Sequence, residues 1–194
     1  MKAQIARATG TALVLVAFFA TASAATLTNV ASLASTLQDQ RNVCAKMAAD
    51  AKSSYSLAQY KSGLDRQTAA LKAEMDTRVY RVGHGSRQAT DYYIQQMQNA
   101  NNAQNAKDRA TSDEFMANTK KVEECVVDAK QQGTSTYISF KEHHVSKPVR
   151  AQAEVLMTAW LANVDEINTS SPDGGDASHT AWKAAKAHAE VSSL

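Results

Sequence analysis

Apolar residues recur in steps of three and four over most of the chain, the period of one face of an α-helix. Leu27, Val30, Ala34, Leu37, Cys44, Ala48, Ala51, Tyr55 and Ala58 form the first such stripe, interrupted by Arg41. It is narrow and rich in alanine, so it permits close helix contact but buries little area per turn and needs a partner along much of its length. Past Gly63 a similar spacing continues through Leu64, Thr68, Leu71, Met75 and Val79. One long helix is therefore predicted from about Thr28 to Val79, with a bend or short break at Gly63.

The stronger break is Val82-Gly83-His84-Gly85-Ser86, where two glycines relieve the backbone and Ser86 is placed to cap the next helix. That second helix is expected over Arg87 to Gln132, with Tyr93, Met97, Ala100, Phe115, Val122, Val126 and Ala129 as its apolar positions. Its polar middle, Asn99 to Lys107, reads as exposed or as awaiting an outside partner, and Gly133 reads as the stop. Thr134-Ser135-Thr136-Tyr137-Ile138-Ser139-Phe140 is rich in β-branched and aromatic residues but has no sheet to join, which predicts an extended connection across the bundle. Ser146 and Pro148 announce a third helix with the cleanest stripe of the chain: Val149, Ala153, Leu156, Trp160, Val164 and Ile167, widened by Met157 and Leu161. Trp160 reads as a packing anchor. A mobile polar loop is expected from Thr169 to Ser178, then a last helix with Trp182, Ala185, Ala189 and Val191.

With 36 alanines, 13 glutamines, two prolines and seven glycines in 194 residues, composition agrees with this pattern and argues against a sandwich, a barrel or a doubly wound sheet. The fold class is all-α: an elongated antiparallel helical hairpin with two shorter C-terminal helices. Lys2 and Arg7 precede the apolar run Ala12 to Ala20, and Ala22-Ser23-Ala24 has the small-x-small form of a cleavage site. The run is shorter than the roughly 20 residues of a membrane-spanning helix. Residues 1–24 are thus expected to be a cleavable export signal, 25–133 the long hairpin, and 134–194 an extended connection and helical region of the same domain. The expected product is periplasmic or extracellular, with no integral membrane segment after cleavage. Removing Lys2 and Arg7 leaves 19 basic against 19 acidic residues, so the overall charge of +2 belongs to the signal and no nucleic-acid partner is expected.

Export bears on the two cysteines. If the helices fold back through a turn near His84, facing residues have numbers summing to about 168, and Cys44 and Cys125 meet that condition. A Cys44–Cys125 disulfide is predicted, closing a loop long enough to contribute about 4–5 kcal/mol in the chain-entropy account.

Candidate chemistry is sparse. Adjacent His143 and His144 do not point to one ion, Asp173 and Asp176 lack the ordered acidic series of an EF-hand, and His179 and His188 stand two to three turns apart. Glu123 and Glu124 are consecutive and so do not share a helix face, while Glu74 and Arg78 have the spacing of a surface ion pair. No nucleophile elbow or phosphate-cradling glycine loop occurs. The reading is no cofactor, no metal and no catalytic set. Arg78, Arg81 and Arg87 cluster with His84 around the turn as a candidate contact for an acidic partner. The expected function is that of an exported noncatalytic interaction or assembly protein of the bacterial cell envelope, its partner an envelope protein or a second copy. In broad architecture it is similar to helical accessory subunits of secretion or conjugation machinery, a likeness of outline that no motif carries. The alternative is a periplasmic helical enzyme or small-ligand carrier with its site between the hairpin and the Trp160 helix.

Overall fold

The computed structural model describes residues 29–143 and 146–192. The expected export signal and its cleavage point lie outside them, as does His144. Four helices run in order through the described residues: α1 Val30–His84, α2 Ser86–His143, α3 Lys147–Asp165 and α4 Asp176–Val191. No strand occurs among the described residues, and no helix there is long and apolar enough to cross a membrane.

The α1 helix starts where its sequence provides a reciprocal cap. Asn29 Oδ1 accepts from the Ser32 amide at 2.9 Å, and the Asn29 amide donates to Ser32 Oγ at 3.3 Å. It then runs without a break through Gly63 to His84. Only Gly85 is left between α1 and α2. Its φ of 80° is a conformation that side chains rarely adopt, its amide donates to the Arg81 carbonyl, and its carbonyl accepts from the Ala89 amide. Ser86 is therefore the first residue of α2 rather than its cap. Antiparallel pairing about Gly85 carries Cys44 to Cys125, which are bonded with their Cα atoms 5.7 Å apart. The bond lies 41 residues from the turn on α1, roughly 60 Å along the helix axis.

Two expectations for the middle of the chain are overturned. Gly133 does not stop the second helix, and 134–140 is not an extended connection: α2 continues to His143. Gly133 is buried because α3 crosses at that point. A Cβ at 133 would lie 2.3 and 2.5 Å from Cη2 and Cζ3 of Trp160, so the glycine is there for close approach, not for a turn. With Gly133 inside the helix, Ala129, Gly133, Tyr137 and Phe140 fall on one face, and burial of Phe140 outweighs the weak strand preference of its β-branched neighbours.

The core sits at the open end of the hairpin. Val30, Leu33, Leu37 and Cys44 of α1 and Val122, Val126 and Phe140 of α2 meet Leu156, Trp160 and Val164 of α3 and Trp182 of α4. Both tryptophans place their ring N–H on α1: Trp160 donates to the Leu37 carbonyl and Trp182 to Gln38 Oε1, at 2.7 and 2.8 Å. Pro148 lies in the first turn of α3, as expected, while Ser146 makes no side-chain capping bond. Val191 is exposed.

The loop expected to be mobile is instead tied down on both sides. Asn168 Oδ1 accepts from the amides of Ser170 and Ser171, Glu166 Oε2 from the Gly175 amide and Ser178 hydroxyl, and Asn163 Nδ2 donates to the Asp173 carbonyl. Arg41, which interrupts the α1 stripe, is 3% exposed and reaches across to the same loop. It donates to Asn163 Oδ1, to the Asp173 carbonyl at 2.7 Å and to His179 Nδ1 at 2.9 Å. The loop is ordered because a charge buried in α1 needs acceptors, and the loop supplies them.

Candidate functional site

Beyond the core end, α1 and α2 run on alone as a two-helix arm. Its inner face is made of small and polar residues: Ala73 and Ala89 are buried, Tyr55 stacks on Phe115 with ring centroids 4.3 Å apart, and Thr77 is buried. The large apolar residues of this part of α1 are elsewhere. Leu64, Thr68, Leu71, Met75 and Val79 do not continue the core stripe, as their spacing suggested. Residues two apart on a helix differ by about 200°, so Leu64 lies opposite Ser62 and Leu71 opposite Ala73. Together with Leu57, Tyr60 and Val82 they form an outer stripe facing solvent; Leu57 is 68% exposed, Leu71 63% and Met75 68%. Single exposed leucines need no explanation, but these residues form one continuous stripe roughly 37 Å long.

The polar middle of α2, Asn99 to Lys107, is exposed at seven of its nine residues, as expected, and meets α1 through Gln104 and Lys107. Gln104 is buried and donates to Ser62 Oγ at 3.0 Å and to Asp108 Oδ1 at 3.1 Å, Ser62 donates to the same carboxylate oxygen at 2.7 Å, and Arg66 pairs with the other. Lys107 reaches Asp65 at 3.4 Å. These bonds join the arm's helices where apolar area is lacking. The hydrogen bonds from Ser62, Gln104 and Arg66 hold Asp108 below its ordinary value of 3.8. At the core end, burial first and then the charges of Arg41 and Lys183 hold His179 below 6.5, against the opposing pull of Asp173.

Both shifts make acid unfavourable. Unfolded His179 takes up its proton as pH falls through about 6.5 while the folded form resists it, so stability declines below that value. Asp108 contributes in full above about 4 and its contribution is lost as pH falls through its lower folded value. Thermal unfolding midpoints are expected to fall in two steps on acidification. His179→Gln removes the first and Asp108→Asn flattens the second; a profile unchanged by both substitutions contradicts the assignment.

At the tip, Arg78 is paired with Glu74 one turn back, the expected surface ion pair. Arg81 and Arg87 make no ion pair among the described residues. His84 stacks on Tyr80 at 4.0 Å, and Tyr80 on Tyr92 at 4.5 Å, so the end of the arm is aromatic as well as basic. Sequence reasoning misses the tyrosine pair, although 80 and 92 flank Gly85 almost symmetrically.

The space proposed for a ligand between the hairpin and α3 is filled by the Trp160 side chain, which is fully buried against Gly133 and Leu37. Asp173, considered as a calcium ligand, has its carboxylate 3.2 Å from the Arg41 guanidinium, a cation already in place. Among the described residues no three His, Cys, Asp or Glu side chains gather as metal ligands would. Arg41→Ala leaves the buried Asn163 amide oxygen without its donor and frees the loop. It is expected to cost about 2–3 kcal/mol in urea unfolding, with increased proteolysis at 169–175. No family model, curated protein or solved structure matches the chain.

Proposed function

We propose that this is a noncatalytic assembly protein of the bacterial cell envelope, exported and oxidised there, whose arm docks on a partner helix. The observation that carries the reading is the outer stripe of α1. An arm two helices thick has apolar side chains on both sides of one helix, and α2 covers only one of them. The disulfide at the base, the polar bonds along the inner face and the core end together hold this arm out as a preorganised surface. An accessory role in secretion or conjugation machinery is the form of this reading that its elongated outline favours. Arg81 and Arg87 at the tip give a second contact suited to acidic groups.

Crosslink-stabilised pull-down from the native envelope under oxidising conditions tests the proposal. Wild-type protein is expected to bring down a defined complex. Leu64→Glu with Leu71→Glu is expected to lose it, and alanine at Arg81 and Arg87 to weaken it. Recovery of the free chain alone, or a complex indifferent to both sets of substitutions, overturns the reading.

A further inference from the structure

The outer stripe has an internal symmetry that specifies what covers it. Its positions, Leu57, Tyr60, Leu64, Thr68, Leu71, Met75, Val79 and Val82, succeed one another in steps of 3, 4, 4, 3, 4, 4 and 3, which read the same from either end. The repeat of 3-4-4 is eleven residues, close to the natural period of a straight helix, so two such stripes stay in register without strong supercoiling. Laid antiparallel on a second copy of itself, the stripe places Leu57 level with Val82, Tyr60 with Val79, Leu64 with Met75 and Thr68 with Leu71.

The charges beside the stripe select the same arrangement. Lys61, Asp65, Lys72 and Asp76 each come one residue after a stripe position and make up one flank. In an antiparallel pair like flanks face each other, and flanking partners are displaced by two residues from the level pairs, as in antiparallel coiled coils. That displacement sets Lys61 against the second copy's Asp76, and Asp65, which also holds Lys107 of its own chain at 3.4 Å, against the second copy's Lys72. By symmetry each contact occurs twice, and all four are of opposite sign. A parallel pair in register brings each lysine level with the other copy's lysine instead. Length also fits: with these levels the tip glycine of one copy, Gly85, comes opposite residue 54 of the other. That is just short of Lys52, whose amine donates to the Ser170 carbonyl where the core end begins.

We propose that the partner of the outer stripe is a second copy of this chain, bound antiparallel through α1 so that the two arms form a four-helix layer with the α2 helices outermost. This deepens the assembly reading and rests on it for the stripe being a docking surface. Sedimentation equilibrium of the oxidised protein across a dilution series, with circular dichroism confirming that each variant keeps its helix content, tests it. Wild type is expected to be a reversible dimer, and Leu64→Glu with Leu71→Glu a monomer at the same concentrations. Lys61→Glu turns two attractions into two repulsions and is expected to weaken dimerisation about tenfold. Adding Asp76→Lys is expected to recover most of that loss. Residues 61 and 76 of one chain are roughly 22 Å apart along the helix, so the rescue comes from the other copy.

A monomer throughout the range, a dimer indifferent to the stripe variant, or a double charge exchange no better than Lys61→Glu overturns the proposal. A solution monomer that still enters an envelope complex through Leu64 and Leu71 overturns the second copy while leaving the assembly reading standing. Loss of both overturns the two together.

Discussion

Replacing Cys44 and Cys125 together by alanine is expected to lower the unfolding free energy by about 4–5 kcal/mol, in the chain-entropy account of residues 81 apart. The size of the effect comes from where the bond lies. It joins α1 and α2 at the base of the arm, so the loop it closes is the whole arm. Past that point the two helices meet through alanines, stacked rings and a few polar bonds, an interface with little apolar area of its own. Without the bond, the unfolded chain regains the freedom of that loop, while the core around Trp160 still holds the base together. The damage is therefore expected to be uneven: amide exchange in residues 53–116 accelerates more than exchange in Leu33, Leu37 and Leu156. Urea unfolding of the oxidised protein and the double-alanine variant measures the total. Equal midpoints show that the arm is held by its side-chain contacts and that the bond adds nothing.

The features legible in the sequence share one property: they are set by neighbours or by simple counting. The turn at Gly85, the start of the third helix at Pro148 and the Cys44–Cys125 pairing all come from local chemistry or from the symmetry of a hairpin. The same counting also pairs Ser62 with Asp108, and applied to polar residues it predicts the network that binds the arm, which low apolarity alone does not reveal. The outer stripe is visible as spacing, but spacing alone puts it on the wrong side. The step from Ala58 to Leu64 is six residues, which turns the pattern some 240° around the helix and carries it from the inner face to the outer one. Distance in sequence hides the rest. Arg41 looks like a flaw in a stripe because its acceptors lie more than a hundred residues later, and these same acceptors turn a loop rich in glycine and serine into an ordered strap.

Gly133 is the case in which local preference and tertiary packing predict opposite signs, which makes it the more informative substitution. In an exposed helix interior, alanine is better than glycine by about 1 kcal/mol, because it loses less backbone freedom on folding. If Gly133 were a helix stop or merely tolerated, Gly133→Ala would stabilise the protein. Here the new methyl group meets two carbons of the Trp160 ring well inside contact distance. That ring has little freedom to yield, since it is fully buried and its N–H is held by the Leu37 carbonyl. Overpacking of this kind costs about 1–3 kcal/mol and is expected to exceed the propensity gain, so the variant is destabilised. Trp160→Ala removes one of the two tryptophans of the core and is expected to cost about 3–5 kcal/mol. The two losses will not add. With the ring gone the methyl group has room, and Gly133→Ala in the Trp160→Ala background is expected to be neutral or stabilising, giving a coupling of about 1–3 kcal/mol between positions 27 residues apart. Additive effects in the urea-unfolding cycle contradict the close crossing of α2 and α3, and with it the account of why the second helix continues through a glycine to present Phe140 to the core.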